Sequence, residues 1–426
     1  MSAALRHAQG ERIQARGFPS ATALGNDAAG EAPWGNPVKI ESIDCLHADG
    51  GTFAFDFVKV TTDTGLIGWS EYNETFGGIG VTAAIKGLAP LLIGQDPRPI
   101  TSILATLHAH RRVVQGGIAQ QAIAAIENAL WDVKAKALGV PVYELLGGPV
   151  RTEIPLYWSH CGFYRVVYGK PLQLPPVNSL DDLKSCAAEA VAAGYHGLKT
   201  NLILFGPDGP YAHNPGFARG ENFPSLNAER RYARALADQL AAMREGAPDA
   251  DLMLDLNFNY KTEGFVLMAK VAEPFDLTWV EIDSYSPAAL SDIRSRTTVP
   301  VASGEALFGR RQYRPFLNPP AMDALIVDLP WNGLSESLAV AQMADAAEVN
   351  VAPHNFCGPL STVMSAHFAA LIPNFRILEY DPDHVPWYDE LLSAPLPVKD
   401  GTFLLSERPG WGFDVNEAAI AAHPAT

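Results

Sequence analysis

Cysteine is scarce in this chain: four in 426 residues, at positions 45, 161, 186 and 357, with no C-x-x-C pair. They read as free thiols in a reducing compartment rather than as a disulfide framework. Basic residues are also in deficit, 31 Lys and Arg against 47 Asp and Glu, for a formal charge of −16. A phosphate backbone demands a basic patch, so nucleic acid and an anionic membrane surface are excluded as the main partners. No stretch reaches the ~18 consecutive apolar residues of a membrane span. The first 35 residues lack the continuous apolar core of a secretory signal. They read as a flexible tail, residues 1–36, ahead of a soluble cytoplasmic protein. What is present is apolar mass: 48% hydrophobic against 18% charged residues, enough for a sizeable core.

Two textures divide the rest of the chain. Residues 38–72 alternate β-branched and aromatic with polar residues, and Thr62-Asp63-Thr64-Gly65 supplies a turn between two runs. Helical stretches follow. In the last of them Ile123, Ile126, Leu130 and Val133 recur at helical spacing, and Gly139 stands where a C-terminal cap belongs. This predicts an α+β module over residues 37–150. From there short apolar runs alternate with helical stretches, among them HGLKTN, ADLMLDLNFN, LTWVEID, VPVASGE, ALIVDLP and VNVAPHN. Strand–helix–strand alternation implies parallel βαβ units, and seven or eight of them in residues 151–380 imply a modified (β/α) barrel of the TIM type. Residues 381–426 are Pro- and Trp-rich and are expected to fold back on the first module as part of a capping domain.

Polar residues end the apolar runs in rhythm. Asp255, Glu281, Glu305, Asp328, His354 and Glu379 follow one another at intervals of 23 to 26 residues. About 25 residues make one βα unit, so each lands at the same height on a successive strand. The C-terminal ends of barrel strands face one mouth, where barrel active sites lie. Charges are rarely buried unpaired, so this ring calls for a counter-ion. Three consecutive carboxylates, Asp255, Glu281 and Glu305, with no Cys or His among them, suit Mg²⁺ rather than Zn²⁺.

With these motifs in hand the chain resembles the enolase superfamily, in its mandelate racemase-like branch. IAAIENALWDVKAKALGVPVYELLGG is similar to the family's signature helix and turn, and GLKTN, LDLNFNY, WVEID, SGE, APHN and LEY follow in the family's order. The resemblance covers residues 38 to about 418. It implies Asp255, Glu281 and Glu305 as ligands of one Mg²⁺ per active site. It further implies His354 as general base oriented by Asp328, Lys199 facing the metal from the other side of the mouth at the end of the second strand, and Glu379 beside the substrate carboxylate. A proton next to a carboxylate is too weakly acidic to remove at neutral pH unless the dianion is stabilised; a cation and an ammonium supply that stabilisation while His354 takes the proton. Asp328 would fix the histidine tautomer.

Racemases of this branch carry Lys-x-Lys on the second strand; here the motif is Lys199-Thr200-Asn201, and Asn cannot accept and return a proton. The expectation is therefore one-base elimination, His354 removing the α-proton and then helping the β-hydroxyl leave as water. The product of a 2,3-dihydroxy acid sugar would be a 2-keto-3-deoxy acid. Racemisation or epimerisation, with Lys199 repositioned as second base, is the runner-up. A catalytically silent acid-sugar binding protein is the alternative from another class, and the His354–Asp328 pair argues against it. A glycosidase needs only two carboxylates and leaves the third acid and the pair unexplained.

Lys199 and Asp255 are 56 residues apart, about two βα units where one is expected. The surplus, residues 202–227, is rich in Gly, Pro, Asn and aromatics without periodicity, which predicts a long ordered loop, either over the site or at an oligomer contact. Substrate contacts are assigned to Asn201, His160, Asn257, Trp387 and Thr75, with His213, Arg219 and Tyr211 of the loop as further candidates. The Asp49-Gly50-Gly51 turn and the Asn73–Phe76 segment match loops that close over the mouth. Such barrels commonly assemble, so a homo-oligomer is expected.

Overall fold

The structure is a computed structural model that describes residues 38–76, 78–219 and 222–425; the N-terminal tail lies outside them. Three antiparallel strands open the fold, β1 (Ile40–Asp49), β2 (Ala54–Thr62) and β3 (Ile67–Tyr72), in the order β1-β2-β3. Helices Val81–Leu88, Ile100–His110 and Gly117–Leu138 cover one face. The long third helix buries Ile123, Ile126, Leu130 and Val133 against Ile40, Val58 and Val60 of the sheet. It ends at Gly139, whose φ of 69° is the left-handed conformation that glycine adopts without strain. Gly68 of β3 is required by close approach: a Cβ there would meet the Ala129 carbonyl oxygen at 2.3 Å.

Eight parallel strands follow: β4 (Glu153–Trp158), β5 (Gly197–Asn201), then, after the small antiparallel hairpin β6 (Ile203–Gly206) and β7 (Gly209–Ala212), β8 (Asp251–Asp255), β9 (Trp279–Glu281), β10 (Val301–Ser303), β11 (Ala324–Asp328), β12 (Asn350–His354) and β13 (Leu378–Tyr380). From β4 to β12 neighbours in sequence pair in register, and β13 returns to pair with β4 through Leu378–Leu156, Glu379–Tyr157 and Tyr380–Trp158. A parallel bridge between Val351 and Phe375 links β12 to the approach of β13. A main helix crosses between each successive pair, from Leu180–Ala192 to Pro359–Leu371, with short extra helices Phe163–Val167 and Gly169–Leu172 after β4 and Leu329–Asn332 after β11. Tyr157, Met253, Trp279, Ala302, Ile326, Ala352 and Ile377 fill the interior, as in other barrels where stacked side chains leave no pore. After β13 the chain adds a short antiparallel pair, β14 (Val398–Lys399) and β15 (Thr402–Leu404), with β15 against β4.

Two buried carboxylates join the first module to the rest. Glu71 on β3 accepts hydrogen bonds from the backbone N–H groups of Gly358 and Ser361, at the start of helix Pro359–Leu371, where a helix favours negative charge. Asp132, fully buried, accepts N–H bonds from Trp69 and Trp411 at 2.8 Å each and pairs with Lys136 at 2.8 Å. Residue 411 belongs to the C-terminal segment, so this one side chain ties β3, the long helix and the chain's end together. Replacing Asp132 by Ala strands two buried amide donors and removes one partner of the Lys136 ammonium, which keeps Asp414 and the Ile67 carbonyl. The expected loss is about 3–5 kcal/mol in urea-unfolding stability; a loss under ~1 kcal/mol would mean the joint is held elsewhere.

Candidate active site

Strand alternation and register raise a set of polar groups at one end of the parallel strands. Asp255 and Glu281 end β8 and β9 opposite one another. Glu305 follows β10 by two residues, after Gly304, whose φ of 123° turns the chain out of the strand. Carboxylate oxygens of Asp255, Glu281 and Glu305 lie within 4.8 Å of one another, all three side chains buried. Glu281 Oε2 accepts from Lys199 Nζ at 2.8 Å, whereas its Oε1 is buried with no hydrogen-bond partner. Asp255 Oδ1 accepts the Asn257 N–H at 2.8 Å.

A fourth acid was not anticipated. Asp283 is buried two residues beyond Glu281, and strand alternation carries it to the same side as Glu281. The E-x-D spacing in WVEID was the available signal. Burial, reinforced by Asp255 and Glu281, pushes the Asp283 carboxyl up to about 8. Burial likewise holds Glu281 and Glu305 well above the ordinary carboxylate range. Four acids so placed, with an orphaned carboxylate oxygen among them and only oxygen donors, fit a hard divalent cation, whose charge would reverse these shifts.

Lys199 faces the acid cluster from deeper in β5 than the strand end at which the sequence places it. It lies two residues short of the end of β5, fully beneath the mouth, and does not line the cavity above it. Its ammonium contacts Glu281 Oε2 at 2.8 Å, Glu379 Oε1 at 2.9 Å and Asp255 Oδ2 at 3.7 Å. Burial opposes its charge, but Glu281 and Glu379 outweigh burial and hold it protonated well above the ordinary lysine value. A lysine so placed is turned to these carboxylates and away from the cavity. Asn201, at the end of β5, does line the cavity. Its amide donates to the Asp255 carbonyl at 3.2 Å and to Asn257 Oδ1 at 3.0 Å.

His354 ends β12. Its Nδ1 meets Asp328 Oδ2 at 2.7 Å, and Asp328 Oδ1 also accepts the Trp331 N–H at 2.6 Å, so the carboxylate is locked by a helix start. The other ring nitrogen, Nε2, stands 3.4 Å from Glu305 Oε2 and 3.9 Å from Glu379 Oε2. Burial opposes a charge on the imidazole, but Glu305, Glu379 and Asp328 outweigh it and raise its pKa well above the ordinary value. Trp331 and Phe356 flank the ring at centroid distances of 5.6 and 4.9 Å. Glu379 accepts from Ser159 Oγ at 2.5 Å and from the Asn355 N–H at 2.9 Å. Burial would raise its pKa, but Lys199 and His354 win and keep it ionised.

A cavity of about 450 Å³ stands over this layer. Asp255, Asn257, Glu305, His354, Glu379, Asn201 and His160 face it from the strand ends, and Thr52, Thr75 and Phe76 from the first module. Tyr164, Trp331 and Phe356 complete its aromatic wall, with no periodic signal in the sequence to mark them. Residues 202–227 are not one irregular loop, because β6 and β7 form a hairpin within them; Asn214, Phe217 and Arg219 beyond it reach the cavity. Tyr211 and His213 do not line it: Tyr211 pairs with Leu204 across the hairpin, and His213 is buried in a stack on Tyr232 at 3.8 Å. Trp387 is also displaced from the role expected of it. Its indole donates to the Asp49 carbonyl at 2.7 Å and stacks on His423 at 4.6 Å, joining chain segments instead of walling the cavity.

Comparison with known proteins places this geometry. Residues 42–147 match the family described as "Mandelate racemase / muconate lactonizing enzyme, N-terminal domain", and residues 182–419 match "Enolase C-terminal domain-like". Among characterised relatives, the D-xylonate dehydratase of Haloferax volcanii is 29% identical, covering 88% of this chain and 86% of its own. The D-galactonate dehydratase of Ralstonia nicotianae is 29% identical, covering 85% and 89%. A solved structure from Burkholderia xenovorans, described as a "putative L-alanine-DL-glutamate epimerase", is 45% identical with a TM-score of 0.89, covering 91% of this chain and 98% of its own. The same protein bound to magnesium and fumarate has a TM-score of 0.88 at 44% identity, covering 91% and 96%.

The acid cluster generates a pH prediction for the metal-free protein. Asp283 has a folded value of about 8 against ~3.9 unfolded. The folded state therefore holds a proton that the unfolded chain releases, and stability falls as pH rises from about 4 through about 8. A divalent cation should flatten that decline in thermal melts at pH 5 to 9 and raise the melting temperature. An identical pH profile with and without the ion would count against a cation at this cluster.

Proposed function

The chain belongs to the mandelate racemase / muconate lactonizing enzyme family of the enolase superfamily, and we propose that it is a Mg²⁺-dependent hydro-lyase of sugar-derived acids. Asp255, Glu281 and Glu305 would hold the ion, with Asp283 tuning their charge. The magnesium in the 44%-identical relative supports that choice of metal. When bound, Mg²⁺ supplies the positive charge against which a substrate carboxylate and the enediolate's developing negative charge are stabilised.

The chain's own groups do the rest. Asp328 keeps the His354 Nδ1–H oriented, so Nε2 is the nitrogen presented to the α-carbon of a bound acid. The close approach of Nε2 to Glu305 is the observation that carries the reading, because it puts the base at the edge of the carboxylates that would hold the cation. Buried Lys199 holds Glu379 ionised and pairs with Glu281 beneath the substrate. Trp331, Phe356 and Phe76 exclude water around the reacting carbon. Loss of the β-hydroxyl from the enediolate then yields a 2-keto-3-deoxy acid. The dehydratase relatives support this outcome.

Epimerisation is the second reading, supported by the description of the 45%-identical structure. It needs a base on the opposite face, and neither Asn201 nor the clamped Lys199 supplies one on β5. The setting we propose is a cytoplasmic homo-oligomer acting on a small acid. Its supports are four unpaired cysteines and the exposed apolar side chains Ile79, Val113 and Val114. Among the described residues no helix is long and apolar enough to cross a membrane.

The test is a panel of aldonic and aldaric acids incubated with Mg²⁺ in deuterated water. The expected result is 2-keto acid from at least one member, with His354→Asn slower by at least ~10²-fold in both α-proton exchange and product formation. Inversion at the α-carbon without loss of water would sink the lyase reading in favour of the epimerase.

A further inference from the structure

A second imidazole–carboxylate pair faces the same cavity and has no part in abstracting the proton. His160 follows β4 by two residues and lines the cavity with 17% of its side chain exposed. Its Nδ1 lies 3.0 Å from Asp381 Oδ2, the arrangement His354 has with Asp328. Asp381 comes two residues after Glu379, just past the end of β13, the strand that pairs with β4, and its side chain is 9% exposed. His160 Nε2 is left toward the cavity.

The ring is held as firmly as that of His354. Its backbone takes φ 49°, a left-handed conformation uncommon outside glycine, though histidine is among the residues that adopt it more readily. The flanking peptides are pinned by Ser159 N–H to the Tyr380 carbonyl and Cys161 N–H to the Lys199 carbonyl, 2.8 Å each. Tyr164 stacks on the imidazole at 4.2 Å with an interplanar angle of 11°. Strain persists in a fold only where the surroundings over-determine it, and it gathers at functional sites. A histidine with a merely structural task needs neither the strained backbone nor a cavity face.

The two imidazoles bracket Glu379. His354 Nε2 lies 3.9 Å from Glu379 Oε2, Ser159 Oγ donates to Glu379 Oε1, and His160 Nδ1 is 3.2 Å from Ser159 Oγ. Their strands stand two apart, about 10 Å across. An acid lying over Glu379 therefore has one imidazole beside its α-carbon and the other beside its β-substituent.

Resting on the hydro-lyase reading, we propose that His160, oriented by Asp381, is the general acid that protonates the departing β-hydroxyl. The electron pair of the Cα–H bond passes into the enediolate of the carboxylate as the proton goes to His354 Nε2, and from there forms the π bond of a Cα=Cβ double bond. The Cβ–O bond breaks with its pair on oxygen, which takes the proton of His160 Nε2 and leaves as water. The enol tautomerises to the 2-keto acid, and both imidazoles re-equilibrate with solvent. This divides between two residues the proton traffic that the sequence suggested for His354 alone.

The experiment compares His160→Gln and Asp381→Asn with the wild type, on a substrate the wild type dehydrates, in deuterated water with Mg²⁺. Recovered substrate is scored for α-deuterium and product for 2-keto acid. For His160→Gln the expected result is a loss of ~10²-fold or more in elimination with exchange kept within a few-fold, so that exchanged substrate accumulates. Asp381→Asn, which keeps the ring but not its orienting carboxylate, should fall between. Parallel loss of exchange and elimination in both variants, or no loss in either, overturns the assignment while leaving the lyase reading intact. A wild type that exchanges the α-proton and never releases water overturns both.

Discussion

Charge balance in a buried layer is the constraint on which this molecule turns. Asp255, Glu281, Asp283, Glu305, Asp328 and Glu379 converge on the mouth of the parallel strands, and Lys199 and the His354 imidazole are the basic groups in contact with them. Charges removed from water must be repaid by partners at close range, since interactions in such a site are screened far less than at the surface. Lys199 answers Glu281 and Glu379, and Asp328 answers His354. Among the described basic groups Glu305 meets only the His354 Nε2, at 3.4 Å, and one oxygen each of Asp283 and Glu281 is buried without a partner. A divalent cation bound there would complete the layer, at the place where a substrate acid must be polarised.

The architecture supplies the precision that this electrostatics needs. Parallel pairing sets Asp255 opposite Glu281 and Asp328 opposite His354, so neighbouring functional groups come from register, not from flexible loops. Below them Tyr157, Met253 and Trp279 pack the barrel and keep the floor dry and immobile. Above them Thr52, Thr75 and Phe76 come from the antiparallel module, which is anchored by Glu71 and Asp132. Stability and activity meet in those two anchors, because a loosened module would open the cavity to water.

Two histidines with carboxylate partners share one cavity, on strands two apart. Such duplication fits elimination better than simple proton exchange, since an α-proton and a β-hydroxyl must be handled within one bound acid. Asn201 occupies the position from which a lysine would serve the opposite face, and Lys199 below it is committed to its carboxylates. Chemistry of the site is thus narrowed by what β5 withholds as much as by what β12 offers.

Much of this was legible in the residues. The recurrence of an acid or histidine every 23 to 26 residues depends only on the length of a βα unit, so strand order and the shared height of Asp255, Glu281, Glu305, Asp328, His354 and Glu379 follow from the linear text. Asp283 and Asp381 lay within its reach too, each two residues beyond an assigned carboxylate. Tertiary structure alone decided the rest. Depth along a strand separates buried Lys199 from cavity-lining Asn201, and spacing does not encode depth. Tyr164, Trp331 and Phe356 become a wall only when distant segments meet. Trp387 and His213 carry the right side chains for a binding site, but their neighbours, Asp49 and His423 for one and Tyr232 for the other, take them out of it. Local periodicity reports which face a residue takes; only packing between distant segments reports what that face meets.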